Sequence, residues 1–245
     1  MLAVENMRLD VPITEVSHLA GSHPADGSRI SALPGGRGLV AHVLRDISLT
    51  LTPGTRAVLL GRNGSGKTML MRSLAGVFPL TQGRRHAEGR LVSLLDSGFG
   101  LLHQLRGTDN IRITARFHGC RSRDMAAIVE DVAEFSDLGP FLHMPLRTYS
   151  SGMIMRLAFA TAMAVKPDIL LLDEWFFTAD AEFLAKAKAR LDETLGTRGI
   201  LIMSTHALDV AQAWCTRAIL MADGRIMADG ASQDIISQYR MQAAE

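Results

Sequence analysis

A chain of 245 residues with 47% hydrophobic and 21% charged residues is apolar enough to bury a large core, which excludes an intrinsically disordered protein. Its 26 Lys+Arg against 25 Asp+Glu leave a formal charge of +1, without the basic excess of a general nucleic-acid binder. No apolar run reaches membrane-spanning length, and MLAVENMRLDVP lacks the basic region and apolar core of a secretory leader. Cys120 and Cys215 are far apart and have no metal-ligand spacing. They read as small apolar residues of a chain kept in a reducing cytosol.

In chain order, residues 21–38 (GSHPADGSRISALPGGRG) are dense in Gly, Pro and Ser and read as a flexible loop between two short strands. LVAHVLRDISLTL and TRAVLLG predict strands split by Pro53-Gly54, and a helix then starts near Lys67 and is stopped by Gly76 and Pro79. LVSLLD (91–96) predicts a short buried strand. Residues 109–118 and 122–137 predict helices, the second with Met125, Ile128, Val129, Val132 and Phe135 close to one face. A further helix follows Ser150-Ser151-Gly152 to about Ala164. ILLLD (169–173) is a continuous apolar run, as in a parallel strand covered on both faces. Next come a helix over AEFLAKAKARLDETLG, a strand over GILIMST and a helix over LDVAQAWC. A hairpin around Asp223-Gly224 and a closing helix, SQDIISQYRMQA, complete the chain. Strands alternating with helices predict an α/β fold with a mostly parallel sheet.

Gly61-Arg62-Asn63-Gly64-Ser65-Gly66-Lys67-Thr68 matches G-x-x-x-x-G-K-[ST] between a strand and a helix. Backbone N–H groups freed by the glycines, with the helix N-terminus, cradle phosphates. Lys67 is placed to pair with the β- and γ-phosphates and Thr68 to ligate Mg²⁺. The strand ending in Asp173-Glu174 supplies a second half: Asp173 for Mg²⁺ and Glu174 to orient and deprotonate the attacking water. Ser150 reads as a helix N-cap.

The cradle, the Asp-Glu strand, the Ser-Gly helix start before it and Ser204-Thr205-His206 after the next strand resemble the nucleotide-binding domain of ABC transporters in order and spacing. The likeness covers about residues 40 to 230. It implies a P-loop, RecA-like α/β domain with a mostly parallel core, antiparallel edge strands and an inserted helical subdomain. On that reading 1–245 is a single domain, with core segments 39–96 and 165–245 and a helical segment of about 97–164. The resemblance further implies a head-to-tail homodimer in which ATP lies between one copy's cradle and the other's Ser150 and Gly152. His206 corresponds to the histidine that bonds the γ-phosphate, and Asp180 to an aspartate that crosses the interface. Gly61, Asn63, Gly64, Ser65 and Gly66 join Lys67 and Thr68 as ATP contacts. Asp96 stands where a Gln is commoner, as a water or Mg²⁺ contact. His42 stands near the place of the aromatic that stacks on adenine.

FLHMPLRTYSSGMIMRLAFATAMAVKPDILLLDE, TADAEF and SLLDSGFGLLHQLRGTDNIRI are similar to the polysaccharide-exporter branch, which moves capsule, O-antigen and teichoic-acid chains. This implies an ATPase at the cytoplasmic face of the inner membrane, working with a separate membrane permease docked by segment 97–150 and not with nucleic acid. Rival readings are an ABC ATPase for a lipid or a drug, a non-transport ABC ATPase acting on nucleic acid or ribosomes, and a P-loop kinase. The resemblance also leaves no length for a carbohydrate-binding domain after the last helix. Trp175-Phe176-Phe177 reads as core or interface packing. Gly83-Arg84-Arg85-His86 and Arg112, Arg116, Arg121 and Arg123 read as solvated basic groups, with lipid headgroups or a membrane partner as the other reading. The thirteen Met residues read as core filler.

Overall fold

A computed structural model describes residues 1–13, 29–32, 38–95, 100–174 and 180–243. Two sheets carry the fold, and each follows from the apolar pattern of its strands. In β1 (Leu2–Ile13) the buried residues are Leu2 and Val4, then Met7 and Leu9, so the two-residue alternation slips by one. Its partner β3 (Leu39–Leu51) slips likewise. Asn6 and Asp46 absorb the slip in left-handed backbone, at φ 47 and 52. These bulges keep Leu2, Val4, Met7 and Leu9 on the core face with Leu44, Ile47, Leu49 and Leu51. β2 (Ile30–Ala32) extends the ladder on the far side of β3, and β5 (Gln82–Ala87) closes it beside β1, giving an antiparallel sheet in the order β2-β3-β1-β5.

The six-stranded sheet has the order β10-β9-β4-β8-β7-β6. Its parallel members are β4 (Arg56–Leu60), β6 (Leu91–Leu94), β7 (Ile169–Leu172), β8 (Ile200–Ser204) and β9 (Arg217–Ala222). β10 (Arg225–Ala231) is the antiparallel edge. Every residue of β7 is buried, because the sheet is covered on both faces. Ile169 and Leu171 face one core with α1 (Lys67–Ala75) and the antiparallel sheet. Leu170 and Leu172 face the other, with α4 (Ser151–Ala164) and α5 (Ala181–Leu195).

α2 (Gly107–Phe117), α3 (Met125–Ser136) and α4 pack on one another. Phe135, Phe159 and Phe183 join α3, α4 and α5, with ring centroids 5.8 to 6.1 Å apart. Buried Asn110 accepts from the Leu102 N–H at 2.7 Å and donates to the Leu102 and Arg106 carbonyls, so it ties the preceding loop to α2. α6 (Leu208–Trp214) and α7 (Ser232–Ala243) pack together after β8 and β10. Among the described residues no helix is long and apolar enough to cross a membrane.

Two sequence expectations need correction. Ile30–Ala32, inside the stretch read as loop, is a strand paired to β3. Gly83-Arg84-Arg85-His86, read as a solvated basic group, lies in strand β5; Arg84 and His86 are exposed, but Arg85 is half-buried and reaches back to donate to the Leu74 carbonyl at 2.6 Å. It thereby satisfies a carbonyl at the end of α1, where helix carbonyls lack internal partners. The other named arginines make local contacts: Arg112 with Asp109, Arg116 with Ser122, and Arg121 and Arg123 with Asp124. Asp96, Gly98 and Trp175–Phe177 lie outside the described residues.

Candidate nucleotide-binding site

Parallel pairing brings three distant segments to one sheet edge. β4, β7 and β8 are in register, with Leu59 opposite Ser204 and Leu172 opposite Met203. Their C-terminal ends therefore open at one level, where ligands bind in open α/β sheets. The glycine loop leaves β4, Asp173-Glu174 leaves β7 and Thr205-His206 leaves β8.

The loop cannot tolerate a side chain at its start. Gly61 has φ 144, and a Cβ there would lie 2.3 Å from the Met221 carbonyl and 2.7 Å from Ser65 Oγ. Lys67, buried at the start of α1, turns back to donate to the Gly61 carbonyl at 2.6 Å and the Arg62 carbonyl at 3.3 Å. Burial pulls its ammonium below the ordinary lysine value, and the nearby Asp173 charge works against that. Ser65 Oγ is buried with no hydrogen-bond partner among the described residues. An orphaned hydroxyl, a buried ammonium and a glycine-lined cradle fit a polyanion such as a nucleotide triphosphate.

Asp173 is buried, and its Oδ1 accepts the Glu174 N–H at 2.9 Å. The Glu174 carboxylate is half exposed, and its Oε1 lies 2.9 Å from His206 Nε2. The same His206 nitrogen is 3.2 Å from Asn63 Oδ1 on the glycine loop. Burial, then the Lys67 charge, hold the His206 ring below the ordinary imidazole value. Lys67, Asn63, Asp173, Glu174 and His206 thus stand at one place. Among the described residues no group of three or more His, Cys, Asp or Glu can hold a metal alone. The Asp173 and Glu174 carboxylates beside the cradle are hard oxygen donors of the kind Mg²⁺ takes, one or two at a time, with phosphate and water.

The other predicted residues lie elsewhere. Ser150 caps α4, its Oγ accepting the Met153 N–H at 3.3 Å. Asp180 caps α5, its Oδ1 accepting the Phe183 N–H at 2.7 Å while Oδ2 pairs with Arg156 of α4 at 3.0 Å. Those two contacts, the backbone one first, hold its carboxyl below the usual aspartate value. His42 sits within the antiparallel sheet, with Nδ1 2.7 Å from Asp10 Oδ1 and Nε2 2.9 Å from Ser31 Oγ. Both ring nitrogens are engaged by neighbouring strands.

Sequence reading missed what surrounds the loop. Arg29 donates to the Gly64 carbonyl at 2.7 Å, and the Gly224 N–H donates to the Ser65 carbonyl at 2.9 Å. Arg29 lies in a Gly/Ser/Pro-rich stretch with no periodicity to mark it, whereas Asp223-Gly224 was legible only as a turn.

Residues 44–177 match the family model described as "ABC transporter". The "O-antigen export system ATP-binding protein RfbE" of Yersinia enterocolitica is 36% identical over 212 residues, 86% of this chain and 87% of that one. RfbB of Myxococcus xanthus, with the same description, is 36% identical over 80% of this chain, which spans 45% of its length. The "Teichoic acids export ATP-binding protein TagH" of Listeria monocytogenes is 34% identical over 80% of this chain and 58% of its own. This chain therefore spans about half of those two relatives and most of the Yersinia one. Among solved structures, the dimeric post-hydrolysis state of the ATP-binding cassette MJ0796 bound to ADP and Pi aligns with a TM-score of 0.76 at 16% identity, over 95% of this chain and 99% of that one. A phosphate loop, a β7 carboxylate pair and a β8 histidine on one sheet edge, with a family match across more than half the sequence, place this chain in the ABC transporter family of ATP-binding cassettes.

Proposed function

We propose that this chain is the ATP-hydrolysing subunit of an exporter for a polysaccharide or lipid-linked glycan. The observation that carries the substrate class is its 36% identity to an O-antigen export ATP-binding protein along most of both chains. Lys67 neutralises charge on the β- and γ-phosphates, and Gly61, Asn63, Gly64, Ser65 and Gly66 line the cradle with backbone N–H groups and short polar side chains. Thr68 and Asp173 hold Mg²⁺, which offsets phosphate charge when bound. Asp96 is retained as a further water or Mg²⁺ contact and His42 as an adenine neighbour.

Glu174 takes a proton from the attacking water, and His206 bonds the γ-phosphate. In the present arrangement these two side chains hold one another at 2.9 Å. Productive chemistry therefore begins with that contact loosening, so that each can turn to the reacting groups.

Gly152 supports a sandwiched homodimer. A Cβ there would meet nothing closer than Ser150 Oγ at 3.9 Å among the described residues, so none of them demands a glycine. Glycine costs a helix about 0.5–1 kcal/mol relative to alanine. Close approach by a second copy's nucleotide gives that position its reason, with Ser150 beside it and Asp180 near the same interface. Leu102, Ile113, Phe117, Phe141 and Met144, all between residues 102 and 144, are large apolar side chains left exposed. They suit docking of a membrane permease, which would hold the chain at the cytoplasmic face of the inner membrane.

The test is complementation. Loss of this chain in its host is expected to leave glycan inside the cell, with export restored by the intact chain and not by Glu174→Gln. Normal surface glycan without the chain overturns the glycan reading and favours a lipid or drug substrate. Co-purification with nucleic acid instead of membranes overturns the transport role.

A further inference from the structure

We propose that Arg29 is a positioning residue for nucleotide binding, clamping the apex of the phosphate loop from outside. The inference rests on the nucleotide-site reading above and concerns a residue that no motif covers. A phosphate loop turns its N–H groups inward, and its carbonyls must then point away from the ligand. Unless a donor holds them, the loop is free to relax, and ordering it again weakens binding.

Donors hold the carbonyls of Gly61, Arg62, Gly64 and Ser65. Lys67 takes those of Gly61 and Arg62 from within. The Gly224 N–H takes that of Ser65 at 2.9 Å, and Arg29 Nη1 takes that of Gly64 at 2.7 Å. The Gly224 clamp is rigid: its carbonyl accepts the Arg45 N–H at 2.8 Å, and a Cβ at Gly224 would fall 2.3 Å from the Val43 carbonyl. Of the two outer donors Arg29 is the charged one, and it stands immediately before the three-residue strand β2.

That strand pairs with β3, and the His42 cluster adds side-chain ties to the ladder. The His42 N–H donates to the Arg29 carbonyl at 2.7 Å. The His42 ring joins Ser31 of β2 to Asp10 of β1, at 2.9 and 2.7 Å. Arg8 closes the group, 3.0 Å from Asp10 Oδ2. Asp223, on the hairpin turn, lies 3.9 Å from Arg29 Nη1 and attracts the guanidinium toward the loop. His42 thus acts on the nucleotide site through the main chain of Arg29.

The experiment measures binding of a fluorescent ATP analogue and steady-state ATP hydrolysis with the full chain. Arg29→Met keeps side-chain length and removes charge and donors. It is expected to raise Kd and KM by about three- to tenfold with kcat within about twofold, and Arg29→Lys to recover most of the loss. Ser31→Ala, which loosens β2, is expected to weaken binding in the native background and to add nothing in Arg29→Met, because both act through one contact. Unchanged Kd and KM in Arg29→Met, or fully additive effects of the two substitutions, would overturn the clamp. Should Arg29→Met fail to fold, Arg29→Lys and Ser31→Ala carry the same readout, and a native-like Kd in both sinks the proposal. If the unaltered chain itself binds no nucleotide, it is the reading of the whole site that fails.

Discussion

Glu174 Oε1 and His206 Nε2 stand 2.9 Å apart, although they leave strands β7 and β8 at positions 32 residues apart in sequence. These are the two side chains proposed above to meet water and the terminal phosphate, and here they bond each other. For Glu174→Gln, nucleotide binding is expected to persist, because Lys67 and the loop are untouched. Turnover is expected to fall by about 10²–10⁴-fold, the usual worth of a general base. Steady-state phosphate release together with equilibrium nucleotide binding checks this, and undiminished turnover would remove Glu174 from that role.

If the site is completed by a second copy, Ser150 and Gly152 act on the other chain's nucleotide. A Gly152→Asp chain alone and a Lys67→Ala chain alone are each expected to be inactive. Their mixture is expected to recover up to one competent site per dimer. Hydrolysis in the Gly152→Asp chain alone at the native rate would speak against the sandwich.

The two thiols are expected to differ sharply. Cys215 is buried, and desolvation pushes its thiol up to about 12, while Cys120 is partly exposed. Alkylation of the folded chain at pH 8.5 is expected to label Cys120 alone, and labelling after denaturation to reach both. The folded value lies above the unfolded 9.0, so the unfolded chain releases this proton first. The associated stability is therefore complete below about pH 9 and declines as the pH rises beyond it. Equal labelling of both thiols in the folded chain would contradict this burial.

Phe159 is wholly buried between Phe135 and Phe183, so Phe159→Ala is expected to cost about 3–5 kcal/mol. A shift in the denaturant midpoint with unchanged slope is the expected signature. A cost below about 1 kcal/mol would mean that the α3, α4 and α5 contact is not the packing seen here.

What the sequence determined by itself is local. The glycine loop, the continuous apolar run of β7, the cap at Ser150 and the stop at Gly76 are written in adjacent residues, because backbone freedom and side-chain alternation act over a few positions. Leu91–Leu94 and the Asp223-Gly224 hairpin were legible for the same reason. Strand β5 was not, since Gln-Gly-Arg-Arg-His-Ala carries no apolar alternation and forms a strand only because the edge of β1 offers it a ladder. Strand β2 likewise exists by pairing with β3. Tertiary structure alone decided that Arg85 would cap α1, that His42 would join Asp10 to Ser31, and that Arg29 would reach Gly64. Each of these bonds closes between segments held together by sheet pairing and core burial, and no spacing rule along one chain encodes that geometry.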